Sequence, residues 1–347
     1  MKKALLMIAV LLGSASAFAQ NLDKAEARQL QAFLSEPENA SALKVSNIKD
    51  LSSVEGVTIS NGHVTAIDWK DKKIKGSLNL SGFKALQKVD VARNELTALS
   101  VANCTALVDL NASRNKLSEI DLTGASKLED VTLYKNRLTD IDIAGTPFLQ
   151  NLNVSNNLMV EFSAANSFNL KTLNVQGNHL EALNLTGCQS LKNLYAGYNK
   201  LTSINLDGVV ALQNLNIDDN DIASFYVQSL PSLATVICSD NNMQSITVKD
   251  CPQLLDLVCS YNDLTALNVE GCTNLEYVDC QYNDLTKLDL SNQTFLQRVV
   301  ANNNQLTWVN VSFDQALVYM NLRYNQITTL ITDACPNLRM VAAQYNP

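Results

Sequence analysis

Residues 254–274 read Leu-Leu-Asp-Leu-Val-Cys-Ser-Tyr-Asn-Asp-Leu-Thr-Ala-Leu-Asn-Val-Glu-Gly-Cys-Thr-Asn. When these residues are numbered 1 to 21, the same register extends in both directions without an insertion. Position 1 is leucine in thirteen successive units, from Leu86 to Leu338, and position 9 is asparagine in all thirteen, from Asn94 to Asn346. A constant period with two invariant positions means that the chain is an array of structural repeats.

Positions 3 to 9 of each unit predict a short strand followed by a turn. Positions 4 and 6 are apolar and positions 3, 5 and 7 are mostly polar, the alternation of a strand with one buried face. The asparagine at position 9 follows the strand, where its amide can bond backbone groups that no neighbouring strand reaches. In the quoted unit, positions 11, 14, 16 and 19 are again apolar, namely Leu, Leu, Val and Cys. We therefore expect a mainly β, right-handed solenoid with a parallel sheet on its concave face and short strands on its convex side.

Residues 1–19 have the pattern of a secretory signal peptide. Lys2 and Lys3 precede an apolar run, and the segment ends in Ala17-Phe18-Ala19, a small-x-small cleavage site. The apolar run is too short to span a membrane, and no other stretch approaches the necessary length. The sequence predicts an exported protein, periplasmic, cell-surface or secreted, without membrane insertion.

The predicted mature chain is acidic. The formal charge of the full sequence is −8, and removal of Lys2 and Lys3 with the signal peptide changes it to −10. A surface of this sign repels phosphate backbones, so a nucleic-acid partner is not expected.

Residues 20–56 are expected to form a helical N-terminal cap. Asp23 and Glu26 have the spacing of a capping box at the start of a helix. The apolar side of that helix consists of Leu30, Phe33 and Leu34. Pro37 should end the helix, because the residue before a proline is displaced from the α region.

Residues 57–347 are expected to form the solenoid, which a hairpin opens. Asn61-Gly62, flanked by two apolar alternating segments, is a strong two-residue turn signal. This hairpin and the preceding helix would cover the apolar edge of the array, as repeat proteins require. The thirteenth repeat stops at position 10. We expect its uncapped edge either to be covered by further chain or to associate with a partner, including a second copy.

All eight cysteines occupy two inward columns. Position 6 carries Cys238, Cys259 and Cys280, and position 19 carries Cys104, Cys188, Cys251, Cys272 and Cys335. Export favours disulfides, and adjacent layers of a sheet are only ~4.8 Å apart. Side chains in a ladder point the same way, however, whereas a disulfide needs a dihedral angle near ~90°. We therefore expect reduced thiols that pack as small apolar groups.

The 21-residue unit, its asparagine column and its cysteine columns resemble the bacterial leucine-rich-repeat proteins of the internalin type. Within that type, the chain is most similar to the branch whose 21-residue repeats carry a cysteine ladder. The resemblance extends over about residues 57–347. It implies a surface or secreted protein that binds host proteins or other macromolecules through its concave sheet.

Catalytic motifs and metal-ligand spacings are absent from the sequence, so neither an enzyme nor a cofactor is expected. His63 belongs to the predicted hairpin, and His179 lies at a solvent-facing turn position. The run from Asp218 to Asp221 could hold a hard cation, but it lacks the glycine and distal glutamate of a calcium loop. A solvated acidic patch is the favoured interpretation of this run.

Nine of the ten tyrosines fall at positions 3, 5, 7 or 8, on the exposed side and rim of the predicted main sheet. The binding candidates are Tyr195, Tyr198, Tyr261, Tyr277, Tyr282, Tyr319, Tyr324 and Tyr345. Early repeats carry Arg93, Arg114 and Lys135 at position 8 instead. Tyrosine combines a large rigid contact area with a polar tip and is enriched at interfaces. The alternative is that tandem duplication copied a tyrosine that merely packs over the turn.

These observations predict a non-enzymatic exported module for protein–protein interaction or adhesion through the concave face. The alternative function is glycan binding at the same surface, with the tyrosines stacked on sugar rings and asparagines bonded to hydroxyl groups.

Overall fold

The computed structural model describes residues 22–347, so the predicted signal peptide lies outside the described residues. The N-terminal segment forms α1, Lys24–Leu34, then α2, Pro37–Ala42, and a 3-10 turn, Leu51–Ser53. Beyond Ser53, no residue of the described chain is helical. None of the helices among residues 22–347 is long and apolar enough to cross a membrane.

The solenoid consists of 26 short strands. The first thirteen are β1 Val57–Ser60, β2 His63–Asp68, β3 Lys75–Asn79, β4 Lys88–Asp90, β5 Glu95–Ser100, β6 Asp109–Asn111, β7 Glu119–Asp121, β8 Asp130–Thr132, β9 Asn151–Asn153, β10 Glu161–Ser163, β11 Thr172–Asn174, β12 Ala182–Asn184 and β13 Asn193–Tyr195. The others are β14 Asn214–Asn216, β15 Ser224–Gln228, β16 Thr235–Ile237, β17 Ser245–Lys249, β18 Asp256–Val258, β19 Ala266–Asn268, β20 Tyr277–Asp279, β21 Lys287–Asp289, β22 Arg298–Val300, β23 Trp308–Asn310, β24 Tyr319–Asn321, β25 Thr329–Ile331 and β26 Met340–Ala342.

Fifteen of these strands form the main sheet, in the order β1-β2-β4-β6-β8-β9-β11-β13-β14-β16-β18-β20-β22-β24-β26. The β1–β2 hairpin is antiparallel, and every later pair is parallel. Equivalent positions lie opposite each other, so that Leu194 pairs with Leu215 and Leu215 with Val236. The mainly β solenoid predicted from the 21-residue period is confirmed, and each turn of the coil adds one strand to this sheet.

The opposite side of the coil carries four smaller sheets: β3-β5-β7, β10-β12, β15-β17-β19 and β21-β23-β25. Most of these strands come from positions 13 to 15 of the repeats, within the second half of the unit; β5 begins at position 10, β15 and β17 extend to position 17, and β3 precedes the first repeat. The series of strands on this side is interrupted at residues 140–142 and 203–205, where the chain forms no strand. The convex side is therefore short-stranded rather than helical, in agreement with the predicted fold class.

The position-1 leucines lie along the centre of the core. Each of them from Leu86 to Leu317 is at most 1% exposed, because the neighbouring coils cover it on both sides. In the last coil Leu338 is half-buried and Val341 is exposed.

The asparagine at position 9 joins adjacent coils, as Asn241 illustrates. Its Nδ2 donates to the carbonyl oxygens of Ile217, in the preceding coil, at 3.0 Å and of Cys238, in its own coil, at 3.3 Å. Its Oδ1 accepts from the backbone N–H of Ile222, also in the preceding coil, at 3.0 Å. One buried side chain thus satisfies backbone groups at the turn that no strand reaches, as expected.

All eight cysteines are free thiols, seven of them buried and Cys335 partly exposed. The position-19 thiols do more than fill space. Cys104, Cys188 and Cys272 donate to the carbonyl oxygens of Leu80, Ala164 and Val248, in the preceding coil, at 3.0, 3.2 and 3.2 Å. Each bond spans 24 residues, the same separation that the asparagine bonds span, so the second half-unit repeats the inter-coil contact of the first.

The N-terminal cap differs in two details from the sequence-based expectation. Asp23 caps α1 by accepting from the Ala25 N–H at 2.8 Å, but Glu26 does not complete a capping box. Glu26 instead accepts from the Val64 N–H at 2.8 Å and lies 3.0 Å from the His63 ring nitrogen, so it joins the helix to the hairpin. Pro37 both follows the end of α1 and begins α2, because its fixed φ suits a first helical position.

The hairpin turn is of the predicted kind. Asn61 and Gly62 have φ angles of 51° and 76°, the two positive values that a type I′ turn requires. Strand β2 then pairs in parallel with β4 and so connects the cap to the first repeat.

Candidate binding face

Position 8, at the rim of the main sheet, adopts a left-handed backbone conformation in all thirteen repeats. Asparagine, aspartate or glycine holds the position in five of them and tolerates this conformation well. Tyrosine holds it in another five, with φ between 53° and 64° at Tyr198, Tyr261, Tyr282, Tyr324 and Tyr345. For a bulky side chain this conformation costs roughly 1–2 kcal/mol. The backbone conformation of the turn therefore gives no reason for tyrosine at this position.

The position-8 tyrosines are exposed and stack in pairs. The rings of Tyr261 and Tyr282 are parallel within 10°, with centroids 4.5 Å apart. The rings of Tyr324 and Tyr345 are parallel within 7° at 4.3 Å. Because neighbouring coils are separated by about one strand spacing, ~4.8 Å, equivalent aromatic side chains in consecutive coils meet face to face.

A second aromatic group lies at position 3 of the same coils. The guanidinium carbon of Arg298 is 5.7 Å from the Tyr277 ring centroid and 5.0 Å from that of Tyr319, so the cation lies between two rings. The Tyr277 hydroxyl donates to Asp279 Oδ2 at 3.2 Å. Burial, with the Asp279 carboxylate nearby, raises the pKa of Tyr277 to about 12, so this hydroxyl stays protonated as a donor.

The other two candidates lie several coils towards the N-terminus. Tyr195 belongs to β13, and Tyr198 follows it at the rim, where 51% of its surface is exposed. Nearby Asp218 and Asp219 carboxylates contribute to raising the pKa of Tyr198. Asp218 Oδ1 is itself buried without a hydrogen-bond partner, and burial raises the pKa of this carboxyl. This part of the face therefore places an exposed tyrosine beside acidic side chains.

The structure therefore divides the eight candidate tyrosines into two groups. Tyr261, Tyr277, Tyr282, Tyr319, Tyr324 and Tyr345 come from four of five consecutive coils, whereas Tyr195 and Tyr198 stand apart beside the acidic residues. We call all eight together the tyrosine face. The tenth tyrosine, Tyr226, lies in β15 on the opposite side of the coil and is not part of it.

Arg298 is a site residue that sequence reasoning missed. Its column position, 3, was visible in the register, but only the tyrosines of that column were singled out. The signal that could have found it is the order Tyr277, Arg298, Tyr319 in three consecutive repeats.

Charge is distributed unevenly along the solenoid. Residues 212–347 contain 14 carboxylate and 5 basic side chains, a net charge of −9, whereas residues 22–211 contain 20 and 19, a net charge of −1. At the N-terminal end of the sheet, Arg114 Nε donates to the Tyr134 hydroxyl at 2.7 Å, and its guanidinium lies over that ring. The acidic half of the molecule is the half that carries the clustered tyrosines.

The residues considered for catalysis or metal binding do not converge on a site. His63 contacts Glu26, and His179 is exposed. Within residues 22–347 there is no group of three or more histidine, cysteine or acidic side chains that could hold a metal ion. In the acidic run, the Asn220 side chain is already used in hydrogen bonds of the solenoid. Its Nδ2 donates to the carbonyl oxygens of Ala196, in the preceding coil, and Ile217, both at 3.1 Å.

Comparison with known proteins identifies relatives by fold. No family model matches the sequence, and no curated protein matches it. Among solved structures, the leucine-rich effector YopM from Yersinia pestis has a TM-score of 0.59 at 22% identity, over 77% of this chain and 88% of that one. The internalin InlF from Listeria monocytogenes has a TM-score of 0.56 at 17% identity, over 90% and 94%. The functional domain of the Listeria internalin InlJ, described as including a cysteine ladder, has a TM-score of 0.46 at 24% identity, over 75% and 68%.

The chain thus has the fold of the leucine-rich-repeat proteins, repeat solenoids that typically serve as binding modules. Its architecture is similar to that of bacterial internalins and YopM, which confirms the resemblance seen in the 21-residue unit.

Proposed function

We propose that the chain is an exported, non-enzymatic binding module whose tyrosine face engages a protein partner. The observation that carries this proposal is the set of five exposed tyrosines at position 8 in a left-handed conformation. A residue that only covered the turn could be asparagine, as in other repeats, without the conformational cost. Strained positions and exposed tyrosines are both typical of contact surfaces.

The stacked arrangement favours a protein over a glycan. A sugar ring binds to an open face of an aromatic ring, and the pairing of Tyr261 with Tyr282 and of Tyr324 with Tyr345 removes one such face from each of the four rings. Their edges and hydroxyl groups point outward and suit the mixed apolar and polar surface of a protein. Glycan binding is therefore an outcome that the experiments must exclude.

The proposal includes export by the signal peptide of residues 1–19, to the periplasm, the cell surface or the medium. Residues 20–56 then act as the cap and residues 57–347 as the binding solenoid, with adhesion as one form of the interaction. N-terminal sequencing of the exported protein should begin at Gln20. Retention of residues 1–19 in the mature chain would contradict this part of the proposal.

The binding proposal is tested by replacing Tyr261, Tyr282 and Tyr324 together with serine. Tyr226→Ser, which removes an equally exposed ring from the opposite side of the coil, is the matched control. The purified proteins are compared by quantitative affinity capture from surface extracts of candidate host cells and on a glycan array. The wild type and Tyr226→Ser should retain the same protein, and the triple variant should lose it while melting at the same temperature.

Two results would contradict the binding proposal. A triple variant that melts well below the wild type would show that the tyrosines are packing residues. Saccharide binding on the array without a retained protein would assign the face to glycans instead.

A further inference from the structure

The stack of tyrosines at position 8 is interrupted by one coil. Asn303 occupies position 8 between Tyr282 and Tyr324, with the same left-handed backbone, φ 55°, as its neighbours. The outer faces of these two rings are covered by Tyr261 and Tyr345, whereas only the short, half-buried Asn303 side chain lies between their inner faces. We call the space above Asn303, between Tyr282 and Tyr324, the tyrosine slot.

The pitch of the solenoid sets the width of this slot. Neighbouring coils are ~4.8 Å apart, so rings two coils apart are separated by roughly 9–10 Å. A flat group stacked between two rings needs about 3.5–4 Å on each side. The slot is therefore wide enough for one planar group, with roughly 2 Å to spare, and too narrow for two.

The same three coils already contain a filled version of this slot. At position 3, the guanidinium of Arg298 lies between Tyr277 and Tyr319, with its central carbon 5.7 and 5.0 Å from the ring centroids. In the position-3 column, the space between the two tyrosines is thus occupied by the protein's own cation. In the position-8 column, the residue between the two tyrosines is asparagine, whose side chain is too short to fill the space.

The charge of the residues around the slot favours a cation over a neutral ring as the bound group. The slot lies in the half of the chain with a net charge of −9, and the exposed carboxylates of Asp263 and Asp284 follow the rim tyrosines at position 10. Two basic groups, Arg298 and Arg323, lie on the sheet side. Arg298 is enclosed between tyrosines, and Arg323 Nε donates to Gln344 Oε1 at 2.7 Å. An approaching cation gains from the surrounding field, which a neutral aromatic ring does not.

We propose that the tyrosine slot binds the guanidinium group of an arginine side chain on the partner protein, sandwiched between Tyr282 and Tyr324. This inference rests on the proposed function, since it names the chemistry by which the tyrosine face recognises its partner. Lysine carries the same charge but lacks a planar group that can stack on both rings. The slot should therefore discriminate between the two basic residues.

The test uses four blocked pentapeptides, Gly-Ser-X-Ser-Gly, with arginine, lysine, citrulline or tryptophan at X, titrated against residues 20–347 by NMR. The arginine peptide should bind about tenfold more tightly than the lysine and citrulline peptides. Its side-chain protons should shift upfield, because they enter the ring currents of two tyrosines.

The decisive variant is Asn303→Tyr, which fills the slot with the protein's own ring at a position where five other repeats carry tyrosine. It should fold normally, lose the upfield shift and bind the arginine peptide about tenfold more weakly. Asn156→Tyr is the matched control, because Asn156 is also at position 8 but has Lys135 and Gly177 as neighbours in its column. This control should bind the arginine peptide as the wild type does.

Equal binding of the arginine and lysine peptides, tightest binding of the tryptophan peptide, or undiminished binding by Asn303→Tyr would each overturn the proposal. These failures are distinguishable from failure of the proposed function. If the triple tyrosine variant still captures the protein partner, the tyrosine face is not the site, whatever the peptides do. If the triple variant loses the partner, but the wild type binds the arginine peptide no more tightly than the other peptides, only the slot inference is wrong.

Discussion

Asn241 shows how one side chain per coil holds neighbouring coils together. It is buried, and its amide bonds to the backbone of Ile217, Ile222 and Cys238. Alanine at this position would leave the buried backbone N–H of Ile222 without its acceptor. The contact is repeated along the array, so each asparagine stabilises its own turn and the coil before it.

We expect Asn241→Ala to lower the free energy of unfolding by about 1–3 kcal/mol, since a buried backbone N–H loses its acceptor. Urea unfolding followed by circular dichroism measures the change. Asn242→Ala is the control, because Asn242 is exposed, and its effect should stay within about 0.5 kcal/mol. Equal effects of the two substitutions would show that the inter-coil bonds contribute nothing.

Asp314 is a buried carboxyl in a column that otherwise contains cysteines, small or apolar residues and Gln293. It is 0% exposed at position 19, where Oδ1 accepts from the Gln293 N–H at 2.8 Å. Its Oδ2 has no partner, and neither does the buried Oε1 of Gln293. Burial raises the pKa of Asp314 to about 7, because the ionised form is poorly solvated.

A raised carboxyl pKa makes the folded state less stable as pH rises. With respect to this group, the folded state is most stable below pH ~4, the pKa of the carboxyl in the unfolded chain, where Asp314 is neutral in both states. This stability is lost as the pH rises through about 7, the pKa in the folded protein. We expect Asp314→Asn to match the wild type near pH 4 and to exceed it by roughly 1–4 kcal/mol at pH 8. Urea unfolding at both pH values, with the exposed Asp333→Asn as control, measures the difference. A pH-independent difference would contradict this account.

The cysteine columns act as elements of the core rather than as cross-links. Four of the position-19 thiols donate to carbonyl oxygens of the preceding coil, and the three position-6 thiols are fully buried. Burial raises the pKa of Cys238 and Cys280 to about 12, so the reactive thiolate is scarce at neutral pH. These two thiols are therefore expected to be unreactive while the protein is folded.

Thiol titration without reductant should find close to eight free thiols in denaturant, the full cysteine content. In the native protein only Cys335 should react quickly, because it alone is partly exposed. Cys335→Ser should remove that fast phase and leave the other thiols unreactive. Recovery of four or fewer thiols from the denatured protein would mean that the columns form disulfides.

Over the whole molecule, the constant period makes each coil interchangeable with its neighbours. Strands pair with the same position one repeat later, as Leu152 pairs with Leu173 and Leu173 with Leu194. Removal of 21 residues would preserve every such pair on either side of the junction. Removal of 10 would leave half a coil without its strand and its asparagine.

We expect deletion of residues 149–169, one complete repeat, to preserve the fold with a melting temperature within about 5 °C of the wild type. Deletion of residues 149–158 removes fewer residues but should lower the melting temperature considerably more, because it interrupts the main sheet at β9. Circular dichroism melts of the two proteins measure the difference. A shorter deletion that is the better tolerated would contradict the coil-by-coil account of stability.

The register, the buried columns and the coil-joining asparagines followed from the sequence alone. The pattern repeats thirteen times, so a shift of the strand register by one residue would expose leucines in every coil. Each repeat therefore excludes the other registers independently. The Asn61-Gly62 hairpin was predictable for a related reason, since its turn depends on the conformational preferences of two adjacent residues.

Contacts between side chains in different coils were decided only by the tertiary structure. The sequence placed Tyr261 and Tyr282 in one column, but the separation between coils brings their rings to 4.5 Å and holds Arg298 between two other tyrosines. In the same way, Glu26 does not complete the capping box that the sequence predicted. Its carboxylate instead accepts from the backbone N–H of Val64, 38 residues away. A repeat pattern specifies which residues share a column. The distance between coils and the direction of each side chain depend on the packing of the whole solenoid, and these determine which of the neighbours in a column form a site.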